Sequence, residues 1–110
     1  MREFNSGATR NDDEEQLDYE AFLSPVVLKR YAEYMHRHRV QSDGGLRPGD
    51  NWQKGIPVDS YAKSLIRHTM DFWLCHRRRR GEARESLEDA LCAIIFNAMG
   101  YLHELRRKHD

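Results

Sequence analysis

One segment limits the possible folds more than any other: LEDALCAIIFNAMGY, residues 87–101. From Ala90 to Leu102 its helical repeat is apolar on nearly every side. At about 100° per residue, Asp89 shares a face with Cys92, Ala93, Phe96 and Gly100, while Leu87, Leu91, Ile94, Ile95 and Leu102 take the opposite one. A helix apolar all round is a central helix. In a chain of 110 residues, which holds only one modest core, this pattern suggests burial partly by neighbouring copies of the chain. Gly100, Ala93 and Ala98 leave room for the close approach of another helix. The polar exceptions are Glu88 and Asp89 at the entrance and Asn97 in the middle, each costly to bury without a partner.

The rest of the chain reads as helix and loop. Ser24 caps and Pro25 opens a helix to about His38, with Val27, Leu28, Tyr31 and Met35 at helical spacing. The glycines and prolines of QSDGGLRPGDNWQKGIP then enforce a long loop. A second helix starts at Asp59 or Ser60, runs through YAKSLIRHTMDFWLCH, and ends in the basic Arg77–Arg80 run with Gly81 as its stop. The third starts at Ser86, where SLED resembles a capping box, and continues to about Lys108. No segment alternates as a strand does. The fold class is all-α, a small helical bundle with three main helices completed by oligomerisation. Residues 1–16 form a polar N-terminal arm, and 17–110 a single helical domain.

Composition narrows the partners. Lysine and arginine number 18, as do the acids, so no overall field favours nucleic acid or a membrane surface. The Arg77–Arg80 run lacks interleaved aromatics and reads as a solvated turn. With no secretory leader and no spanning apolar run, the expectation is a soluble cytoplasmic protein. Cys75 and Cys92, without CxxC spacing, read as buried reduced thiols.

The chemistry-bearing pattern lies on the second and third helices. His68 and Asp71, three residues apart, project from one face together with Tyr61, Ser64, Leu65, Phe72 and Cys75, whereas Ile66, Met70, Trp73 and Leu74 occupy the other. An antiparallel pair brings Asp71 and Asp89 toward the connecting end, where they can share a divalent cation. HxxD followed by E85xxE88D89 is compatible with such a site, since hard cations take a few carboxylates and keep positions open for phosphate oxygens and water. The alternative, a surface His–Asp pair and a capping Asp89, carries similar weight on spacing alone.

The ordered set GATR (7–10), LDYEAFLSPVVLKRYAEYM (17–35), NWQKGIP (51–57), KSLIRH (63–68) and EDALCAIIFNAMGYLHE (88–104) resembles the phage family described as the N-terminal domain of dATP/dGTP diphosphohydrolase. That family's function is similar to that of the MazG-like all-α nucleoside triphosphate pyrophosphohydrolases, which hold magnesium with two acidic pairs on adjacent helices. The resemblance implies a metal-dependent enzyme that converts purine deoxynucleoside triphosphates to monophosphate and pyrophosphate in a host cytoplasm. It places His68, Asp71 and Asp89 in the catalytic centre, and His68, Asp71, Glu88 and Asp89 around Mg2+ or Mn2+. His68 departs from the all-carboxylate pattern and favours softer metals. Arg10, Lys54 and Arg67 are the implied phosphate contacts. Asn51, Trp52 and Asn97 are implied contacts to the nucleotide, although Trp52 packing the loop and Asn97 as a satisfied buried amide stay open beside those roles. A purine nucleotide and a second copy, as dimer or tetramer, are the expected partners. A nucleotide sponge that sequesters a host signal without hydrolysis is the competing reading.

Overall fold

The computed structural model describes residues 2–10 and 16–107, and among them the chain is predominantly helical. Four helices follow in order: α1 (Tyr19–Phe22), α2 (Pro25–Arg37), α3 (Val58–His76) and α4 (Leu87–Arg107). A two-residue antiparallel ladder, β1 (Arg2–Glu3) with β2 (Thr9–Arg10), precedes them. The acidic run of residues 12–15 and the side chain of Arg10, an expected phosphate contact, lie outside the described residues.

The three main helices follow the apolar periodicity, and local chemistry sets their ends. Ser24 Oγ accepts the Val27 amide at 3.2 Å and Pro25 supplies a preset first turn, so α2 starts where expected. Ser86 likewise accepts the Asp89 amide at 3.1 Å at the start of α4. Only half of the capping box forms, because the Asp89 carboxylate turns to arginines of α2 instead. Two boundaries differ from expectation. Helix α3 begins at Val58 after Pro57, without a side-chain cap, so neither Asp59 nor Ser60 performs that role. It ends at Arg77, not at Gly81: the Arg79 amide reaches Leu74 O (2.8 Å), the Arg78 amide reaches Cys75 O (3.0 Å), and Arg78 takes the left-handed conformation (φ 61°). These bonds close the helix before the glycine is reached.

Helices α3 and α4 form an antiparallel hairpin, and its seam is built from small residues. Ala90, Ala93, Asn97 and Gly100 of α4 are buried, as are Tyr61, Asp71 and Cys75 of α3. Tyr61 lies directly over Gly100, where any Cβ would overlap the ring. Gly100 thus admits a neighbouring helix as its size predicts, and the neighbour is α3 of the same chain. Helix α2 covers the first half of α4, with Tyr34, Cys92 and Ala93 in the core and Tyr31 and Met35 against them. Cys75 and Cys92 are free and buried.

The faces left over are apolar. Ile66, Met70 and Trp73 of α3 are 66, 46 and 49% exposed, and Leu91, Met99, Leu102 and Leu105 of α4 are exposed as well. The radius of gyration is 19.0 Å, against about 13 Å for a compact chain of this length.

Candidate functional site

The connection from α3 to α4 gathers the titratable side chains. His68 and Asp71 are one helical turn apart on α3, and Glu85 arrives from the connection just before α4. The His68 Nδ1–H donates to Glu85 Oε1 at 2.5 Å, and the same nitrogen is 3.9 Å from Asp71 Oδ2. One donor atom from each of the three residues lies within 4.8 Å of the others, making this the one metal-capable group among the described residues.

Asp71 is the best-buried member, at 3% exposure, and Arg84 satisfies it from two directions. The Arg84 amide donates to Oδ1 (3.1 Å), while its Nε and Nη2 donate to Oδ2 (3.0 and 2.6 Å). The Arg84 guanidinium holds the Asp71 carboxyl below its ordinary value of 3.8, against the opposite push of burial. An imidazole with two carboxylates suits manganese or a related transition ion better than magnesium. Such an ion would need the Arg84 guanidinium, itself a cation on Asp71 Oδ2, to move aside.

Asp89 belongs to a different cluster from Asp71, contrary to the expected shared cation. Its Oδ1 accepts Arg30 Nη2 (2.8 Å) and Arg37 Nη2 (2.7 Å), both from α2, and Arg30 Nε also reaches Glu88 (2.7 Å). At the third position of α4, Asp89 faces α2, whereas Asp71 faces the interhelical connection. Burial raises the Asp89 pKa, but the hydrogen bonds from Arg30 and Arg37 outweigh it and the net shift is downward. Glu85 thus stands where Glu88 and Asp89 were expected. Its HxxD…E spacing was legible, but its place before the helix cap pointed to solvent; the interhelical connection folds it back onto His68.

The remaining predicted residues divide further. Asn97 is buried at 3% exposure and its Nδ2 donates to Ala93 O (2.8 Å), the satisfied amide. Lys54 and Arg67 are exposed. Asn51 and Trp52 line a cavity of about 370 Å³ between α2, the long loop and α4. Trp52 also packs edge-on to His103, with ring centroids 4.8 Å apart, so it does fix the loop to the bundle.

A second cavity, of about 610 Å³, adjoins the metal-capable group and shares Glu85 with it; Arg30, Arg80, Arg84 and Glu88 complete its charged lining. Arg80 therefore faces a cleft, while its neighbours in the basic run do otherwise: Arg77 stacks over Trp73 at 5.7 Å and Arg79 pairs with Glu82. No helix among the described residues is long and apolar enough to cross a membrane. Comparisons with known protein families, with curated proteins and with solved structures give no match.

Proposed function

We propose that the chain is a metal-dependent pyrophosphohydrolase acting on purine deoxynucleoside triphosphates. The single observation that carries the reading is the shared Glu85: it belongs both to the His68–Asp71–Glu85 donor group and to the arginine-lined cleft beside it. The donor group adjoins a cleft in which Arg80 has no acidic partner among the described residues, and Arg30 and Arg84 could turn from theirs toward a triphosphate. When bound, the metal polarises a phosphoryl oxygen and lowers the pKa of a water nucleophile. The chain's own part is to hold and orient. Glu85 would fix the His68 ring, Arg80 would neutralise phosphate, and Arg30 and Arg84 would join it on turning away from Glu88, Asp89 and Asp71. The purine preference comes from the resemblance to the diphosphohydrolase family.

Self-association accompanies this reading. The chain exposes 9084 Å², roughly 2,700 Å² more than a compact monomer of its size. Doubled over two protomers, a surplus of that order lies at the upper end of the roughly 2,000–5,000 Å² that an obligate homodimer buries in total, and the Ile66–Met70–Trp73 face is its apolar centre.

A nucleotide-binding protein without turnover is the second reading, favoured by the completeness with which Arg84 occupies Asp71. One experiment separates them. Purified protein with dATP or dGTP and Mn2+ or Mg2+ releases pyrophosphate if it is the enzyme, and Glu85→Gln abolishes the release. Nucleotide bound and recovered intact after denaturation establishes the second reading, and absence of both binding and release rejects the two together.

A further inference from the structure

The cavity holding Trp52 is built differently from the arginine-lined cleft beside Glu85. Three aromatic side chains, Tyr34, Trp52 and Phe96, supply planar apolar wall, and Arg39, Arg47 and His38 supply the charge or potential charge. No carboxylate among the described residues lines it, although the chain carries as many acids as bases. Among the described residues neither Arg39 nor Arg47 takes part in an ion pair.

The walls are held in place. The Arg47 amide donates to Arg39 O (2.8 Å) and Arg39 Nε donates to Arg47 O (2.9 Å), across the bridge that pairs Val40 with Leu46. The Arg47 backbone and the Arg39 guanidinium are thereby fixed on adjacent limbs of one loop, with the Nη atoms of Arg39 still available and the Arg47 side chain exposed beside them. At the far end, the Ile56 amide donates to buried Glu104 (3.4 Å) and Arg107 donates to Gln53 O (3.3 Å), tying the Trp52 turn to α4. Tyr34 is 7% exposed, and its ring lies 4.1 Å from that of His38. Burial, with Glu85 and Asp89 nearby, pushes its phenol up to about 12, so it stays a neutral wall and hydrogen-bond donor.

We propose that this cavity is a second ligand site, independent of the metal-capable group, that takes a planar aromatic anion of mononucleotide size, its ring against Trp52, Tyr34 and Phe96 and its phosphate on Arg39 and Arg47. Aromatic faces accept any base, whereas the paired guanidiniums require the anion. A volume of about 370 Å³ falls within the range of about 300–1,000 Å³ typical of small-molecule sites.

The test uses the full chain in EDTA, with calorimetric titration of three probes: dAMP, deoxyadenosine and inorganic phosphate. Ring and phosphate acting together make dAMP bind at least roughly tenfold more tightly than either fragment. Trp52→Ala and Arg47→Met each remove most of that advantage, while Glu85→Gln leaves it intact. Circular dichroism melts confirm that each variant is folded, and Trp73→Phe, which preserves the cavity, retains the fluorescence change that dAMP produces at Trp52. The site is overturned if dAMP binds no better than phosphate, if Arg47→Met binds as the parent does, or if Glu85→Gln or the Trp73→Phe control abolishes the signal. Because metal is excluded, failure here leaves the hydrolase assay standing, and failure of that assay leaves this site standing.

Discussion

Arg84 engages both carboxylate oxygens of Asp71, through its amide to Oδ1 and its guanidinium to Oδ2, so the residue best placed to bind a cation already faces one. A guanidinium and a divalent ion compete for Oδ2. Replacing Arg84 by Met removes the competitor without removing a ligand, and Mn2+ affinity should rise by roughly tenfold or more. Titration of free Mn2+ by electron paramagnetic resonance reads this directly. Unchanged or weaker binding would show that the guanidinium does not gate the donor group.

Acid should loosen the hairpin. Asp71 and Asp89 both have folded-state pKa values below the ordinary 3.8. The stabilisation from a depressed carboxylate is complete above its unfolded value and disappears as pH falls through the folded one. The urea midpoint should therefore hold from pH 7 to about 5 and drop below about pH 4. In Asp71→Asn, which cannot titrate at that position, the drop between those limits should be smaller. An equal or larger drop would remove Asp71 from the account.

The seam between α3 and α4 makes a steric prediction. A Cβ on Gly100 collides with the Tyr61 ring, which is itself only 2% exposed and has nowhere to retreat. Gly100→Ala should cost about 3 kcal/mol, enough to lower the melting temperature by about 10 °C. Tyr61→Phe should behave oppositely. Among the described residues the buried Tyr61 hydroxyl has no hydrogen-bond partner, so its removal should be neutral or stabilising by up to about 1 kcal/mol. Paired melting curves check both.

Arg78 is the position where α3 turns left-handed. A non-glycine residue there costs on the order of 1–2 kcal/mol, part of which glycine recovers after its own loss of chain entropy. Arg78→Gly should stabilise the chain by about 0.5–1 kcal/mol in chemical denaturation. A destabilised variant would mean that the Arg78 side chain makes a contribution larger than its strain.

The exposed face of α3 predicts association. Ile66, Met70 and Trp73 recur at helical spacing and lie open, and an acid placed at the centre of an apolar interface is strongly unfavourable. Sedimentation velocity should show a dimer or larger species for the parent and a monomer for Met70→Glu. A parent that sediments as a monomer throughout the micromolar range sets this surface aside.

How much of this could be read in advance depended on the range of the interactions. Helix identity is local: Ser24 before Pro25, the Ser86 cap and the apolar periodicity of α4 act within one or two turns, and each element appears near its expected bounds. The two faces of α4, one with Cys92, Ala93 and Gly100 and the other with Leu91 and Leu102, were legible for the same reason, but both read as apolar and which one the chain itself covers was not. Charge partners were not. Arg84 meets Asp71 across the turn, and Arg30 and Arg37 meet Asp89 from another helix, so a spacing rule sees the acids and misses the bases that claim them. The early stop at Arg78 escaped notice because glycine is the expected left-handed residue and Gly81 was close by.

The bonds from Glu104 and Arg107 to the loop near Trp52 have a consequence for the chain's far end. The last turn of α4 works as a latch. A chain cut in front of Glu104 would lose both bonds and release the floor beneath Trp52, while Gly100 and its seam with Tyr61 would stay in place.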